Sequence, residues 1–202
     1  TISLLEVDSG TIVKTIFLDD VHLKNKDKNV FGLKWVSHSS DDDKFHVNDA
    51  DPLLENLAAF FPQFDVGDLL VSYRHANLVY VLDPDTLDVK WWTQGYTSGQ
   101  HDPDWQNTGT ITVFDNQVQT TGTINIRQFD LTDSIGKVIF DAADLGLGTQ
   151  TRGRHQYLSD SSLLLTIPDQ GRAVVVSKYG EILMDFINSY DSQDVLHVNN
   201  AM

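Results

Sequence analysis

Histidine recurs where apolar segments of this chain begin, and histidine is the side chain whose unperturbed pKa lies nearest to neutral pH. His46, His101, His155 and His197 each begin or closely precede a segment that is predicted to be a β-strand. Imidazoles that converge from such strands could act as acids, bases, nucleophiles or metal ligands. One histidine alone is more often structural, but four at equivalent positions in successive units indicate a shared channel.

Two polar side chains accompany these histidines at the ends of strands. Arg74 follows an apolar strand, and a guanidinium in that place should face an anion or a carboxylate because it stays charged. Pairing with Asp49 or Asp51 and binding of a substrate anion are both open. Asn48 lies two residues after His46, so both side chains are expected on one face of a strand.

Three further polar residues surround His101. Asp102 is adjacent to it in sequence, so its side chain should point the other way and serve a structural role, unless the strand bends. Asp115 and Asn116 end the next strand and either orient His101 or shape the following turn. The stretch from residue 100 to residue 116 is therefore the predicted centre of the site.

The elements that position these residues are short strands, separated by turn signals, in units of four. Four antiparallel strands repeated every 40 to 55 residues are typical of a β-propeller, so we predict an all-β, single-domain chain. The one helical candidate, Pro52 to Phe60, is predicted to be an insertion in a loop. Propellers contain about 4 to 8 blades, and about four blades' worth of chain suggests a fragment. The predicted blades are 1–20 (partial), 45–95, 100–142, 153–190 and 194–202 (partial).

Composition narrows the functional classes. Fourteen basic and twenty-nine acidic residues give a formal charge of −15, which disfavours nucleic acid and anionic membranes as partners. No apolar run approaches the roughly 20 residues of a membrane span, so no membrane insertion is predicted. The chain has no cysteine, which excludes disulfides, thiolate metal ligands and a cysteine nucleophile.

The same residues resemble a known family, the bacterial arylsulfate sulfotransferases, which are six-bladed propellers of the periplasm or cell envelope. The resemblance is strongest from about residue 35 to residue 116 and follows the generic blade pattern from residue 127 onward. It rests on Trp35, His46-Val47-Asn48, Ser72-Tyr73-Arg74-His75, Gln100-His101-Asp102-Pro103 and Val113-Phe114-Asp115-Asn116.

The resemblance implies transfer of a sulfuryl group from an aryl sulfate to a phenol through a sulfated histidine, with no nucleotide donor, no other cofactor and no metal. It makes His101 the nucleophile and makes His46, Asn48 and Arg74 the groups that hold the sulfuryl oxygens. A periplasmic or secreted location follows by resemblance, and a homo-oligomer is possible. The family's further essential histidine would precede Thr1, and its disulfide has no counterpart here.

The channel argument adds His155 and His197 as predicted substrate-binding residues. Two other classes of function stay open from the residues alone. The first is a non-catalytic propeller that binds small anions or a protein partner. The second is a metal-dependent lyase or hydrolase in which His46, His101 and His155 hold the metal.

Overall fold

A computed structural model describes residues 1–28, 30, 46–132, 134–191 and 194–198, which form fourteen strands and two short α-helices. Trp35, on which part of the resemblance rests, lies outside the described residues. The helices are α1 (Leu18–Lys24) and α2 (Glu55–Ala58). The strands are β1 (Ile2–Leu5), β2 (Ile12–Ile16), β3 (Val47–Pro52), β4 (Leu69–Tyr73), β5 (Leu78–Leu82), β6 (Val89–Gln94), β7 (His101–Trp105), β8 (Thr110–Asp115), β9 (Asn125–Asp130), β10 (Lys137–Asp141), β11 (Arg154–Tyr157), β12 (Leu163–Ile167), β13 (Arg172–Val176) and β14 (Ile182–Ile187).

The strands form antiparallel sheets in which neighbours in sequence are neighbours in space. Strands β3 to β6 form blade 1, β7 to β10 form blade 2 and β11 to β14 form blade 3, while β1 and β2 form a two-stranded sheet. The first strand of blade 2, β7, contacts the first strands of both flanking blades, β3 and β11. The predicted all-β fold is confirmed as an open, partial propeller.

Each hydrophobic core of the described residues lies between adjacent sheets, because the inner strands are apolar on both faces. In β5, Tyr80 packs in the core shared with β2 and α1, whereas Val79 and Val81 pack in the core shared with blade 2. Phe114 of β8 and Leu165 of β12 both belong to the core between blades 2 and 3. Because alternate side chains of a strand point to opposite faces, each of these inner strands packs against the sheets on both of its sides. This packing fixes the positions of β3, β7 and β11.

The helices differ from the sequence-based prediction. Pro52 does not begin a helix: it is the last residue of β3, where its missing N–H is tolerated, and only Glu55–Ala58 is helical. Helix α1 was not predicted, and it is held to blade 1 because Asn25 bonds the main chain of Leu87 and Val89. No helix in the described part of the chain is long and apolar enough to cross a membrane.

Bulges in β3 and β7 shape the end of the blades where the predicted site lies. In β7 the register with β8 shifts between His101 and Pro103, and Asp102 adopts a left-handed φ of 51°. In β3 the register shifts between Val47 and Asp49. A bulge turns a side chain out of the regular alternation, so these strands present residues to the centre that a regular strand would not.

Gly153, directly before β11, makes a close approach that only glycine permits. Its φ is 108°, and a Cβ at this position would lie 2.5 Å from Cζ of the buried Phe114 ring. We expect Gly153→Ala to lower the free energy of unfolding by about 2 to 4 kcal/mol, because strain at positive φ adds to overpacking of the core. Urea denaturation followed by tryptophan fluorescence measures this change.

Gly180 supplies the matched control for that substitution. Its φ is 85°, but nothing lies within 4 Å of the position that a Cβ would take. Gly180→Ala should therefore cost only the backbone strain, about 1 to 2 kcal/mol. Equal losses for the two variants would show that contact with Phe114 contributes nothing.

Candidate active site

A pocket of about 360 Å³ opens where β3, β7 and β11 begin, at the centre of the three blades. Its volume is in the range of small-molecule sites, roughly 300 to 1,000 Å³. Its lining includes histidine, arginine and aspartate residues, whereas a hydrophobic core is lined by apolar side chains. The lining residues are His46, Asn48, Asp49, His101, Asp102, Arg152, Gly153 and Arg154.

The hydrogen bonds of His101 define its tautomer. The main-chain N–H of Arg152 donates to Nε2 of His101 at 2.9 Å, so Nε2 carries a lone pair and no proton. The proton of the neutral ring is then on Nδ1, which donates to Oδ1 of Asn116 at 2.8 Å. Imidazole nitrogen with a lone pair is the nucleophilic form, and here that nitrogen is Nε2.

The surroundings of His101 also keep its ring neutral. Burial lowers the pKa of His101 to about 4, and the positive charge of Arg74 adds to this effect. The hydrogen bond from Nδ1 to Asn116 opposes it, and the net result is an uncharged ring at neutral pH. His101 thus differs from a free histidine, which is partly protonated near pH 6.5.

The segment from Thr149 to Gly153 lies against His101 and is held there by blades 1 and 2. Nδ2 of Asn116 donates to the carbonyls of Thr149 and Arg152, at 3.0 and 2.8 Å. Nη2 of Arg74 donates to the carbonyl of Gln150 at 2.9 Å. Asn116 therefore positions both the imidazole and the main chain that contacts Nε2.

His46 and Asn48 line the same pocket as His101. The ring of His46 stacks on His75 with centroids 4.7 Å apart, and His46 has a left-handed φ of 49°. Nδ2 of Asn48 donates to the carbonyl of Gln100, while Oδ1 of Asn48 is buried without a hydrogen-bond partner among the described residues. A polar atom in that state is suited to accept a hydrogen bond from a ligand.

Arg74 is close enough to influence His101 electrostatically, although it is not among the residues that line the pocket. Among the described residues no carboxylate lies within ion-pair distance of Arg74, so the alternative of pairing with Asp49 or Asp51 is not observed. Its Nε is buried with no hydrogen-bond partner in the described chain, and burial lowers its pKa. The guanidinium group of Arg74 therefore still has an N–H that can donate to an anion.

Asp102 was expected to point away from the site unless its strand bends, and the bulge in β7 is such a bend. With φ of 51° the residue leaves the regular alternation, and its carboxylate reaches both the pocket and His155. Oδ2 of Asp102 accepts from the main-chain N–H and from Nδ1 of His155, at 2.7 and 3.0 Å. The structural role predicted for Asp102 is thus combined with a place in the pocket wall.

His155 lies behind this wall and does not line the pocket. It is buried, and its Nε2 contacts Oγ1 of Thr112 at 2.8 Å. Burial alone would lower the pKa of His155, but the hydrogen bond and charge of Asp102 and the charge of Asp104 outweigh burial and raise it. The ring is therefore connected to the pocket through Asp102.

The four histidines do not occupy equivalent positions, contrary to the sequence-based expectation. His46 precedes β3, His101 is the first residue of β7 and His155 is the second residue of β11. Bulges shift the register of β3 and β7, whereas β11 pairs without a shift. His197 is exposed and lies outside the pocket lining.

The alternative of a three-histidine metal site is not supported by this arrangement, because His155 is separated from His46 and His101. His155 instead lies with Asp102 and Asp104, whose candidate ligand atoms are within 4.8 Å of one another. Both ring nitrogens of His155 are already hydrogen-bonded, so we interpret this group as a hydrogen-bonded cluster rather than a metal centre.

Sequence reasoning missed three charged residues of the pocket: Asp49, Arg152 and Arg154. The run Arg152-Gly153-Arg154-His155 was a usable signal, since two cations flank a glycine at the start of a first strand. Asp49 was considered only as a partner for Arg74. Its place in the pocket depends on the bulge in β3.

Fold and site together define a class of protein: a β-propeller with a neutral imidazole beside cationic groups in an open pocket, suited to transfer of a group from an anion. The family model for the arylsulfotransferases (ASST) matches residues 2–189, and the chain belongs to this family. The match supports arylsulfotransferase activity at the level of the family. No curated protein matches the chain.

Proposed function

We propose that this protein transfers a sulfuryl group from an aryl sulfate to a phenol through a sulfohistidine at His101. The observation that carries the proposal is the tautomer of His101. Asn116 holds the proton on Nδ1, so the lone pair lies on Nε2, the nitrogen on the side of the pocket-lining Arg152. A neutral, oriented imidazole of this kind is a nucleophile at neutral pH.

The first half of the reaction forms the bond between Nε2 of His101 and the sulfur and breaks the bond between sulfur and the aryl oxygen. The main-chain N–H of Arg152 has to leave Nε2 before this bond forms, and it then faces the oxygens of the incoming group. In the second half a phenol oxygen attacks the sulfur, and the electron pair of the nitrogen–sulfur bond returns to Nε2.

Positive charge near His101 supports binding of a sulfate by a strongly acidic protein. Arg152 and Arg154 line the pocket, and Arg74 retains a buried Nε that lacks a partner in the described residues. Such pre-placed groups stabilise charge that develops on the sulfuryl oxygens in the transition state.

The proposal is tested by incubating the protein with 4-nitrophenyl sulfate without an acceptor. We expect one rapid release of nitrophenol per active site and a mass increase of roughly 80 Da on the peptide that contains His101, the signature of a covalent intermediate. Addition of phenol should remove the adduct and yield phenyl sulfate. A folded protein that shows neither burst nor adduct would contradict the proposal and favour a propeller that only binds anions.

A further inference from the structure

The pocket contains two carboxylates although the proposed donor is an anion, and the two differ in how their charge is balanced. Asp102 accepts two hydrogen bonds from His155, and Nε of Arg154 lies 3.8 Å from its Oδ1. Asp49 makes no ion pair among the described residues. Arg154 and the hydrogen bonds from His155 therefore balance the negative charge of Asp102, whereas Asp49 has no ion-pair partner of this kind among the described residues.

The surroundings of Asp49 favour the protonated form of its carboxyl group. Burial raises the pKa of Asp49 to about 6, and the negative charges of Asp102 on β7 and Asp51 on β3 act in the same direction. The main-chain N–H of Ala50 and the charge of Arg154 on β11 oppose this effect without cancelling it. Asp49 can accordingly hold or release a proton close to neutral pH.

The reaction needs a separate group that donates and accepts a proton, because neither nitrogen of His101 is available for this transfer. Nδ1–H is bound to Asn116, and Nε2 forms the bond to sulfur. The departing aryl oxygen has to gain a proton when its phenolate is basic, and the attacking phenol has to lose one. Asp49 lines the same pocket as His101 and is the uncompensated carboxyl in it.

We propose that Asp49 is the acid–base catalyst of both half-reactions, an inference that rests on the proposed function. In the first half the Asp49 carboxyl gives its proton to the aryl oxygen as the sulfur–oxygen bond breaks, which leaves a carboxylate. In the second half that carboxylate takes the proton of the acceptor phenol as its oxygen attacks the sulfur. One proton thus passes from Asp49 to the first phenol and returns from the second, and no further reactant is needed.

The test compares two donors, phenyl sulfate and 4-nitrophenyl sulfate, in the wild-type protein and in Asp49→Asn. Phenolate is a basic leaving group that needs a proton, whereas 4-nitrophenolate departs as a stable anion. We expect Asp49→Asn to lower kcat/KM for phenyl sulfate about 100-fold or more, and to lower it for 4-nitrophenyl sulfate less than about 5-fold. With phenyl sulfate, kcat/KM of the wild type should fall as pH rises through about 6, and this limb should be absent in the variant.

Asp51→Asn is the matched control, since Asp51 lies two residues along the same strand and outside the pocket lining. Because the charge of Asp51 helps to raise the pKa of Asp49, Asp51→Asn should move the fall in kcat/KM for phenyl sulfate to slightly lower pH. At pH values below this fall it should leave the ratio of the two donors unchanged. Asp49→Ser provides a second variant should asparagine disturb folding, which thermal denaturation monitors. An equal loss for both donors, or no loss for either, would overturn the assignment of Asp49.

The two proposals fail in distinguishable ways. A sulfated His101 peptide from 4-nitrophenyl sulfate in the Asp49→Asn protein, together with an unchanged donor ratio, would contradict only the role of Asp49. Absence of the adduct in the folded wild-type protein would contradict the sulfohistidine mechanism, and the role of Asp49 with it.

Discussion

Replacing His101 by asparagine should abolish sulfuryl transfer, with a loss of at least about 1,000-fold in kcat for 4-nitrophenyl sulfate. The reason is that the substitution removes Nε2, the pocket nitrogen with a lone pair that accepts from the main-chain N–H of Arg152. Asparagine preserves a polar side chain but removes the lone pair of an imidazole. Initial rates of nitrophenol release and peptide mass spectrometry measure the loss of both turnover and adduct.

His197→Asn is the control for this experiment, because His197 is exposed and lies outside the pocket lining. Its activity should equal that of the wild type within about a factor of 2, as is usual for surface substitutions. An adduct that persists in His101→Asn would assign the nucleophile to a different residue. A loss of activity in His197→Asn would instead restore the substrate-binding role that the sequence predicted for it.

Asn116→Ala should lower kcat about 100-fold while the protein remains folded, since a misplaced reactive group of this kind costs roughly that factor. The substitution removes the acceptor for Nδ1–H of His101 and the donors to the carbonyls of Thr149 and Arg152. The ring can then adopt the other tautomer, in which Nε2 carries the proton and cannot attack. Asn125→Ala, which shortens another buried asparagine of blade 2, is the matched control and should retain activity.

The pH dependence of activity in Asn116→Asp distinguishes an effect exerted through His101 from a purely structural effect. Transfer requires neutral His101, so activity is lost as pH falls through the pKa of His101, which is about 4. A carboxylate at position 116 still accepts from Nδ1–H and stabilises the imidazolium, which raises this pKa. The acidic limit of activity should therefore move to higher pH, and an unchanged limit would show that Asn116 does not act through His101.

The fold was predictable because its signal repeats along the sequence. Burial of both faces of β5 requires apolar side chains along the whole strand, and burial on both faces recurs in β8 and β12. An error in one segment, such as the helix predicted from Pro52 onward, does not change the repeat of four-stranded units. Four strands per unit, in chain order, then follow from the positions of the turns.

The site was predictable only in part, because two of its determinants leave little trace in the sequence. Asp102 faces the pocket because of a bulge, and the residue types of β7 do not reveal a left-handed φ at that position. Arg152 contacts His101 through its main chain, 51 residues away in sequence, so its side chain gives no indication of the contact. Asn116 was noted with Asp115, but the sequence left open whether the pair orients His101 or shapes the following turn, because an amide at a strand end can do either.

The contact at Nε2 of His101 also bears on how the site can vary. A main-chain N–H is supplied by every amino acid except proline, and proline requires φ near −65°, whereas φ of Arg152 is 62°. Substitution at position 152 can therefore change the charge and shape of the pocket while the amide that contacts the imidazole persists. The hydrogen bond to Nε2 of His101 is therefore retained when the side chain at position 152 changes. The specificity of the pocket can change without loss of this hydrogen bond.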